Sequence, residues 1–552
     1  MTTVDSYLCG TSTTPLLHKT IGAMLAETAA RYPDGEALVV LHQGVRWTWG
    51  ELDARVDRLA AGLLGLGLQR GDRVGIWAPN CAEWVLVQLA TARVGMILVS
   101  LNPAYRTSEL EHALRLVGVR ALITAEKFKS SDYISMLAEI APEIRGCAGS
   151  TLRLATLPDL QWIIQLGSPR WPSLLDFESL AATDPVSFDD RAISPDDPVN
   201  IQFTSGTTGA PKGATLSHNN IINNGFFVGE LIEFSAADRL CIPVPLYHCF
   251  GMVMAVLNCV THGSTMIFPS DAFDPGAVLQ AVEAERCTAL FGVPTMFIAE
   301  LSHPDFEKFD LSTLRTGVMA GALCPEDVMT QVMERMHMRD VSICYGMTET
   351  SPVSFQTRLD SDLATRVRTV GSVHPFIEAK VVDAEGVILP RGQAGELLVR
   401  GYSVMRGYWG QPEKTREAVD AGGWMHSGDL ALVQEDGNVR IVGRLKDMII
   451  RGGENVYPAE IENFLIKHPD IIDVSVFGVP HEKWGEEVCA WVRARRSIDV
   501  DELREYCTGR IAHFKIPTHL RCVDEFPMTV TGKVRKVEMR ALEVDMKTEE
   551  GR

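Results

Sequence analysis

Val199-Asn200-Ile201-Gln202-Phe203-Thr204-Ser205-Gly206-Thr207-Thr208-Gly209-Ala210-Pro211-Lys212-Gly213-Ala214-Thr215-Leu216-Ser217-His218 holds the reading on which the rest of the chain turns. Val199 to Phe203 alternates as a strand does, and Gly213 to His218 reads as a second strand. Between them, Thr204 to Gly213 offers hydroxyls, bare backbone amides and the Lys212 ammonium. A loop of this kind is suited to cradling phosphates, because glycine lets N–H groups approach an anion with no Cβ in the way. The G-x-x-x-x-G-K-[ST] spacing is absent, so this is not a Walker A loop.

Outward from this loop, helices and strands take turns. Leu52, Val56, Leu59, Leu63 and Leu66 keep helical spacing from Thr48 to Leu66, and Ala82 to Val94 predicts another helix. Arg73 to Ala78, Met96 to Ser100 and Val119 to Thr124 read as short apolar strands. The same rhythm returns between about Ser217 and Ser342, which argues for parallel sheets covered on both faces. Residues 378–442 differ. Their strands (Ala379 to Val382, Glu396 to Arg400, Val439 to Val442) are split by Gly and Pro, which predicts a small β-subdomain at about 370–442. After Gly443 the pattern changes to a helix over Pro458 to His468, a strand over Val474 to Val479 and a helix from about Val500. A domain boundary is therefore expected at Gly443 to Lys446, with a frayed polar tail after Met546.

Composition narrows the class. At 552 residues the chain is too long for one core, and about three to four units are expected. Hydrophobic residues at 46% and charged residues at 22% are those of a globular protein. A formal charge of −19 argues against nucleic-acid or anionic-membrane partners. The 12 cysteines include no C-x-x-C pair, which predicts free, mostly buried thiols in a reducing compartment and no zinc site. The first residues lack a basic stretch followed by an apolar one, and the apolar window from Gly251 to Phe268 is interrupted by Asn258, Thr261, His262 and Gly263. Neither a secretion signal nor a membrane span is expected, and the cytoplasm is the default location.

Further segments join the loop. They are Tyr345-Gly346-Met347-Thr348-Glu349-Thr350 after a short strand, and His426-Ser427-Gly428-Asp429 ahead of one. Gly443-Arg444-Leu445-Lys446-Asp447 leads into Arg451-Gly452-Gly453-Glu454-Asn455, and Pro527-Met528-Thr529-Val530-Thr531-Gly532-Lys533 closes the series. In this order and separation they resemble the adenylate-forming (AMP-binding) superfamily, over roughly residues 20–540. Gly71 to Ile76, Pro245-Leu246-Tyr247-His248 and Gly452 to Pro458 are similar to its fatty-acyl-CoA synthetase branch.

The resemblance implies an α/β fold. A large N-terminal domain (1–445) of two doubly covered sheets plus the β-subdomain would be hinged at Lys446 to a small mobile α+β C-terminal domain (446–552). It also implies a two-step reaction, in which ATP and a carboxylic acid give acyl-AMP and pyrophosphate, then coenzyme A gives acyl-CoA and AMP. Thr204, Ser205, Gly206, Thr207, Thr208, Gly209, Ala210, Pro211 and Lys212 would hold phosphates. Gly321, Ala322, Tyr345, Gly346, Met347 and Thr348 would hold the rest of ATP. Glu349 would hold Mg²⁺, Asp429 the ribose, and Arg444 the ribose or phosphate side. Thr204, Glu349 and Lys533 are the catalytic candidates, with Lys533 neutralising charge that grows at the α-phosphate. Tyr247, His248, Phe250 and Leu323 would line the acyl pocket. Gly452, Gly453 and Glu454 would border the pantetheine channel, with Arg451, Lys515 and Arg535 as candidates for the CoA phosphates. No Asp lies within Tyr247 to Met252 to pair with a substrate amine, and the apolar surroundings favour a hydrocarbon tail whose length they do not state; the resemblance to the fatty-acyl-CoA branch implies a medium-chain acid by preference. An acyl-AMP ligase loading a carrier protein, a CoA ligase for an aryl or thioether acid, and a homodimer are left open.

Overall fold

Side chains alternate across a strand, so a strand apolar at every position must be covered on both faces. Val74 to Trp77, Ile97 to Val99 and Ala121 to Ile123 are such runs, and in the computed structural model the strands that hold them, Arg73–Trp77, Ile97–Ser100 and Ala121–Thr124, are central strands of one sheet. The structure describes residues 4–146, 151–188, 192–204, 211–322, 324–452, 454–481, 483–528 and 534–550. That eight-stranded sheet runs in parallel from Leu175–Asp176 through Trp162–Gln165, Ala121–Thr124, Arg73–Trp77 and Ile97–Ser100 to Pro198–Thr204. It then turns antiparallel at Lys212–Ser217 and ends on the two-residue strand Gly407–Tyr408. A second, nine-stranded sheet has a parallel centre of Asp340–Gly346, Thr316–Ala320, Ala289–Gly292, Arg239–Cys241, Thr265–Phe268 and Glu36–Val40.

Alternate residues face opposite ways, as the two-residue period requires. Val74, Ile76 and Leu98 of the first sheet and Leu38, Val40, Leu240 and Met266 of the second enter one continuous core between the sheets. Ile97 and Val99 face outward onto Leu110, Leu114 and Ile134; Val39, Cys241 and Ile267 face outward onto Val278, Leu279 and Val282. Between the sheets, helix Trp49–Gly65 buries Leu52, Val56, Leu59 and Leu63, each contributing about 1.5–3 kcal/mol. Thr48 and Glu51 form a capping box at its start. Helix Ala82–Arg93 has no polar face, because the same central layer surrounds it.

The β-subdomain is a five-stranded antiparallel sheet of Tyr7–Cys9, Ile377–Val382, Gly395–Gly401, Met425–Val433 and Val439–Arg444. Its first strand comes from the far N-terminus, a pairing that no local pattern announces. His426 to Asp429 lie within the strand Met425–Val433, not ahead of one as expected, because cross-strand bonds to Gly395–Gly401 begin at Met425. From Ile449 onward the chain packs around apolar clusters of its own, under a sheet that includes Gly485–Ala494 and Ile471–His481. The expected fraying after Met546 is not found: helix Lys536–Glu550 continues past it. The 11 described cysteines form no disulfide with one another, and only Cys9 and Cys522 of them are exposed. No helix among the described residues is long and apolar enough to cross a membrane.

One buried carboxyl carries a stability prediction. Glu300, 1% exposed in helix Pro294–Leu301, leaves Oε2 without a partner among the described residues, and burial pushes its carboxyl up to about 8. The unfolded chain releases this proton near pH 4, so the stabilisation of the neutral folded form is full below that and is lost as pH rises to about 8. Glu300→Gln keeps the shape and removes the titration. Its melting temperature should exceed the native protein's by a margin that widens between about pH 5 and 8.

Candidate active site

In open α/β sheets, ligands bind beyond the carboxyl ends of the parallel strands. Here Thr204, Gly321 and Tyr345 lie at such ends, the first on one sheet and the other two on the second. Thr204 is paired in register with Lys212 across the hairpin, and its buried Oγ1 has no partner among the described residues. Ser205 to Ala210 lie outside the described residues, as do Leu323, Gly453 and Lys533.

Lys212 is half-buried, and its ammonium stands 4.1 Å from the centre of the Tyr408 ring. Burial lowers its pKa, and Lys414 and Lys446 act in the same direction; Glu349 opposes them. Glu349 is itself buried in the one-turn 3₁₀ helix Thr348–Thr350, where it accepts a 2.7 Å hydrogen bond on Oε1 from the Tyr408 hydroxyl. Its Oε2 has no hydrogen-bond partner among the described residues. No group of three or more His, Cys, Asp or Glu that could hold a metal is found among them either. One carboxylate is the donor set expected where Mg²⁺ is held mainly by substrate phosphates, so the residues present fit that ion.

A second cluster is built around Asp429. Asp429 is 8% exposed; its Oδ2 accepts a 2.5 Å hydrogen bond from the Tyr345 hydroxyl and its Oδ1 lies 3.0 Å from Arg444 Nε. Cross-strand register places Asp429 opposite Arg444, so backbone pairing fixes this ion pair. Three residues chosen from separate motifs therefore meet. Gly346 is glycine because the chain doubles back on itself: a Cβ there would stand 1.8 Å from the Pro352 carbonyl oxygen. Gly321 holds a left-handed φ of +89° at the strand end.

Among the acyl-pocket candidates, His248 Nδ1 accepts from the Phe250 amide at 3.2 Å, which orients its ring within the turn. Tyr247 is largely buried, and burial pushes its phenol up to about 12. Phe250 begins a buried π-helix, Phe250–Leu257, and its ring leads into a column: Phe250 to Phe291 at 6.1 Å and Phe291 to Phe234 at 6.2 Å. Phe234 precedes the strand Arg239–Cys241, so the column runs from the carboxyl ends of the strands toward their amino ends. Cys249 donates to Gln202 Oε1 at 2.8 Å, which ties this segment to the strand Pro198–Thr204.

The remaining candidates lie beyond Arg444. Lys446 is in the one-turn helix Leu445–Asp447. Gly452 has φ +59°, and its missing Cβ would meet the Trp484 indole at 2.9 Å. Glu454 is exposed and pairs in register with Arg451. The three candidates for a basic rim are each already engaged: Arg451 with Glu487 (3.7 Å) and the Phe514 carbonyl, Lys515 with Glu460, and Arg535 with Glu538. Arg451 and Lys515 are neighbours through Phe514, while Arg535 pairs within its own segment.

The sequence profile of the AMP-binding enzyme family matches residues 25–409, and that of the AMP-binding enzyme C-terminal domain matches residues 460–533. The chain belongs to the AMP-binding enzyme family. Within it, the chain is 45% identical to the mitochondrial medium-chain acyl-CoA ligase ACSF2 of Danio rerio, covering 98% of this chain and 91% of that one. The Homo sapiens protein of the same name is 44% identical, over 97% of this chain and 89% of that one. The crystal structure of ATP-bound MatB from Rhodopseudomonas palustris superposes with a TM-score of 0.82 at 30% identity, covering 96% of this chain and all of that one. This AMP-binding enzyme is an AMP-forming acid–thiol ligase.

Tyr408 is the site residue that the motifs did not single out. Gly407-Tyr408-Trp409-Gly410 reads locally as an ordinary strand edge; only sheet pairing brings its ring beside Lys212 and Glu349.

Proposed function

We propose that the protein activates medium-chain fatty acids with Mg·ATP and transfers the acyl group to coenzyme A. The observation that carries this is that motif residues far apart in the chain assemble into two charged clusters, Lys212 and Glu349 with Tyr408 in one and Tyr345, Asp429 and Arg444 in the other. In the first half-reaction a carboxylate oxygen attacks the α-phosphorus, the bond to the β-phosphate oxygen breaks, and pyrophosphate leaves. Thr204 to Lys212 would hold the β- and γ-phosphates, and Asp429 the ribose hydroxyls, with Arg444 beside it. Glu349 would hold Mg²⁺, which neutralises phosphate charge when bound. Lys533 would orient the carboxylate and offset charge at the α-phosphate. In the second, the CoA thiolate attacks the acyl carbon and AMP departs. Rotation of residues 446–552 about Lys446 would exchange Lys533 for the Gly452-Gly453-Glu454 loop. The cytoplasm suits a protein whose described cysteines form no disulfide with one another.

The test is AMP release with CoA and Mg·ATP across straight-chain acids of four to eighteen carbons, with aryl and thioether acids alongside. An optimum among medium chains is expected. Pyrophosphate release without CoA consumption would move the protein to the acyl-AMP ligases, and an aryl or thioether optimum would replace the substrate class.

The aromatic column supplies a chain-length prediction. A tail entering past Phe250 would end against Phe291, so Phe291→Leu should favour acids a few carbons longer than the native optimum. The ratio of kcat/KM for long against medium acids should rise about tenfold, the usual worth of a methylene-sized change in an apolar pocket. An unchanged ratio in a folded variant would place the end of the tail elsewhere.

A further inference from the structure

We propose that Tyr408 is a positioning residue, a spacer that keeps the Lys212 ammonium and the Glu349 carboxylate apart and aimed at ATP. The proposal rests on the roles given above to those two charges. A half-buried ammonium and a buried carboxylate that touch the same side chain would otherwise satisfy each other in a direct ion pair, which the incoming phosphates and magnesium would then have to break. Tyr408 gives each charge a different partner. Its hydroxyl donates to Glu349 Oε1 at 2.7 Å, and its ring face lies 4.1 Å from Lys212 Nζ. Neither contact exhausts its partner: an ammonium over a ring keeps N–H donors for phosphate oxygens, and Glu349 keeps Oε2 for a cation.

The surrounding backbone is built to hold this one side chain. Tyr408 pairs with Ala214 on the Lys212 strand, and the flanking amides of Arg406 and Trp409 donate to Thr215 and Gly213 at 2.9 and 2.8 Å. The Met405 amide donates to the Glu349 carbonyl at 2.9 Å, so the same segment is tied to both charges. Gly407 has φ +138°, and a Cβ there would stand 2.8 Å from Thr415, whose Oγ1 accepts the Tyr408 amide at 2.9 Å. The ring is 6% exposed, and burial followed by the neighbouring Glu349 charge raises its pKa, so the hydroxyl stays a donor at working pH.

Two substitutions separate the hydroxyl from the ring. Tyr408→Phe keeps the packing and releases Glu349; the Mg²⁺ concentration for half-maximal ATP binding, read by calorimetry without acid substrate, should rise about tenfold. Affinity for ATP at saturating Mg²⁺ should change little. Tyr408→Leu lets Lys212 close on Glu349, and Mg·ATP should then bind at least about tenfold more weakly even at saturating metal. The deciding readout is a double-mutant cycle. In a Glu349→Gln background, Tyr408→Phe should add almost nothing, because the hydroxyl acts through that carboxylate. Additive losses, or a Mg²⁺ dependence unchanged in Tyr408→Phe, would overturn the proposal. Since binding is measured without turnover, failure of every acid to be activated would count against the proposed function alone.

Discussion

Replacing Lys533 with alanine is expected to slow acyl-adenylate formation by about 10²–10³-fold while sparing thioester formation from supplied acyl adenylate. The two halves differ in where charge grows. Attack on the α-phosphorus gathers negative charge on phosphoryl oxygens, and an ammonium aimed there lowers the barrier without forming a bond. Attack of a thiolate on the acyl carbon expels AMP, a step for which the resemblance carried by Pro527 to Lys533 implies that this lysine has been withdrawn. Lys212 is not expected to replace it, because its ammonium is held over the Tyr408 ring, where the proposed function gives it the β- and γ-phosphates. Pyrophosphate release with acid and ATP measures the first half, and thiol consumption from synthetic acyl adenylate measures the second. Equal losses in both would remove Lys533 from the first step.

Gly346→Ala is expected to reduce ATP-dependent pyrophosphate release by at least about 100-fold, through geometry rather than a lost contact. The added Cβ would stand 1.8 Å from the Pro352 carbonyl oxygen and 3.1 Å from the Ser354 amide nitrogen. That carbonyl also accepts the Met347 amide at 3.0 Å and the Thr350 hydroxyl at 2.9 Å, so it cannot retreat alone. The turn from Met347 to Ser351 must shift with it, and Glu349 lies in that turn. Displacing a phosphate- or metal-facing group by about 1 Å is enough for a loss of this size. Gly386→Ala is the control: φ is +81° there, but nothing lies within 4 Å of the added Cβ. It should cost about 1–3 kcal/mol of backbone strain and leave ATP chemistry intact. Full activity in Gly346→Ala would mean that the hairpin yields without moving Glu349.

Much of this architecture was legible in residue order. The strands Pro198–Thr204 and Lys212–Ser217, helix Trp49–Gly65 and the apolar strands of the first sheet follow from local periodicity, because burial on one or both faces writes itself into spacing. Where the reading missed, the deciding partner was distant. The strand Tyr7–Cys9 joins the sheet of Ile377–Val382, and helix Lys536–Glu550 packs on Ile471–His481 instead of fraying after Met546.

The site divides in the same way. Sequence alone determined the chemistry on offer: the hydroxyls and amides of Thr204 to Gly213, and the charges of Lys212, Glu349, Asp429 and Arg444. A motif is a set of functional groups at fixed spacing along one segment, and that much the chain states directly. Only the tertiary structure decided that Tyr345 and Arg444 hold Asp429 between them, that Tyr408 stands between Lys212 and Glu349, and that Phe250, Phe291 and Phe234 line up. These meetings are made by sheet register and by packing between layers, which act between segments with no shared local pattern.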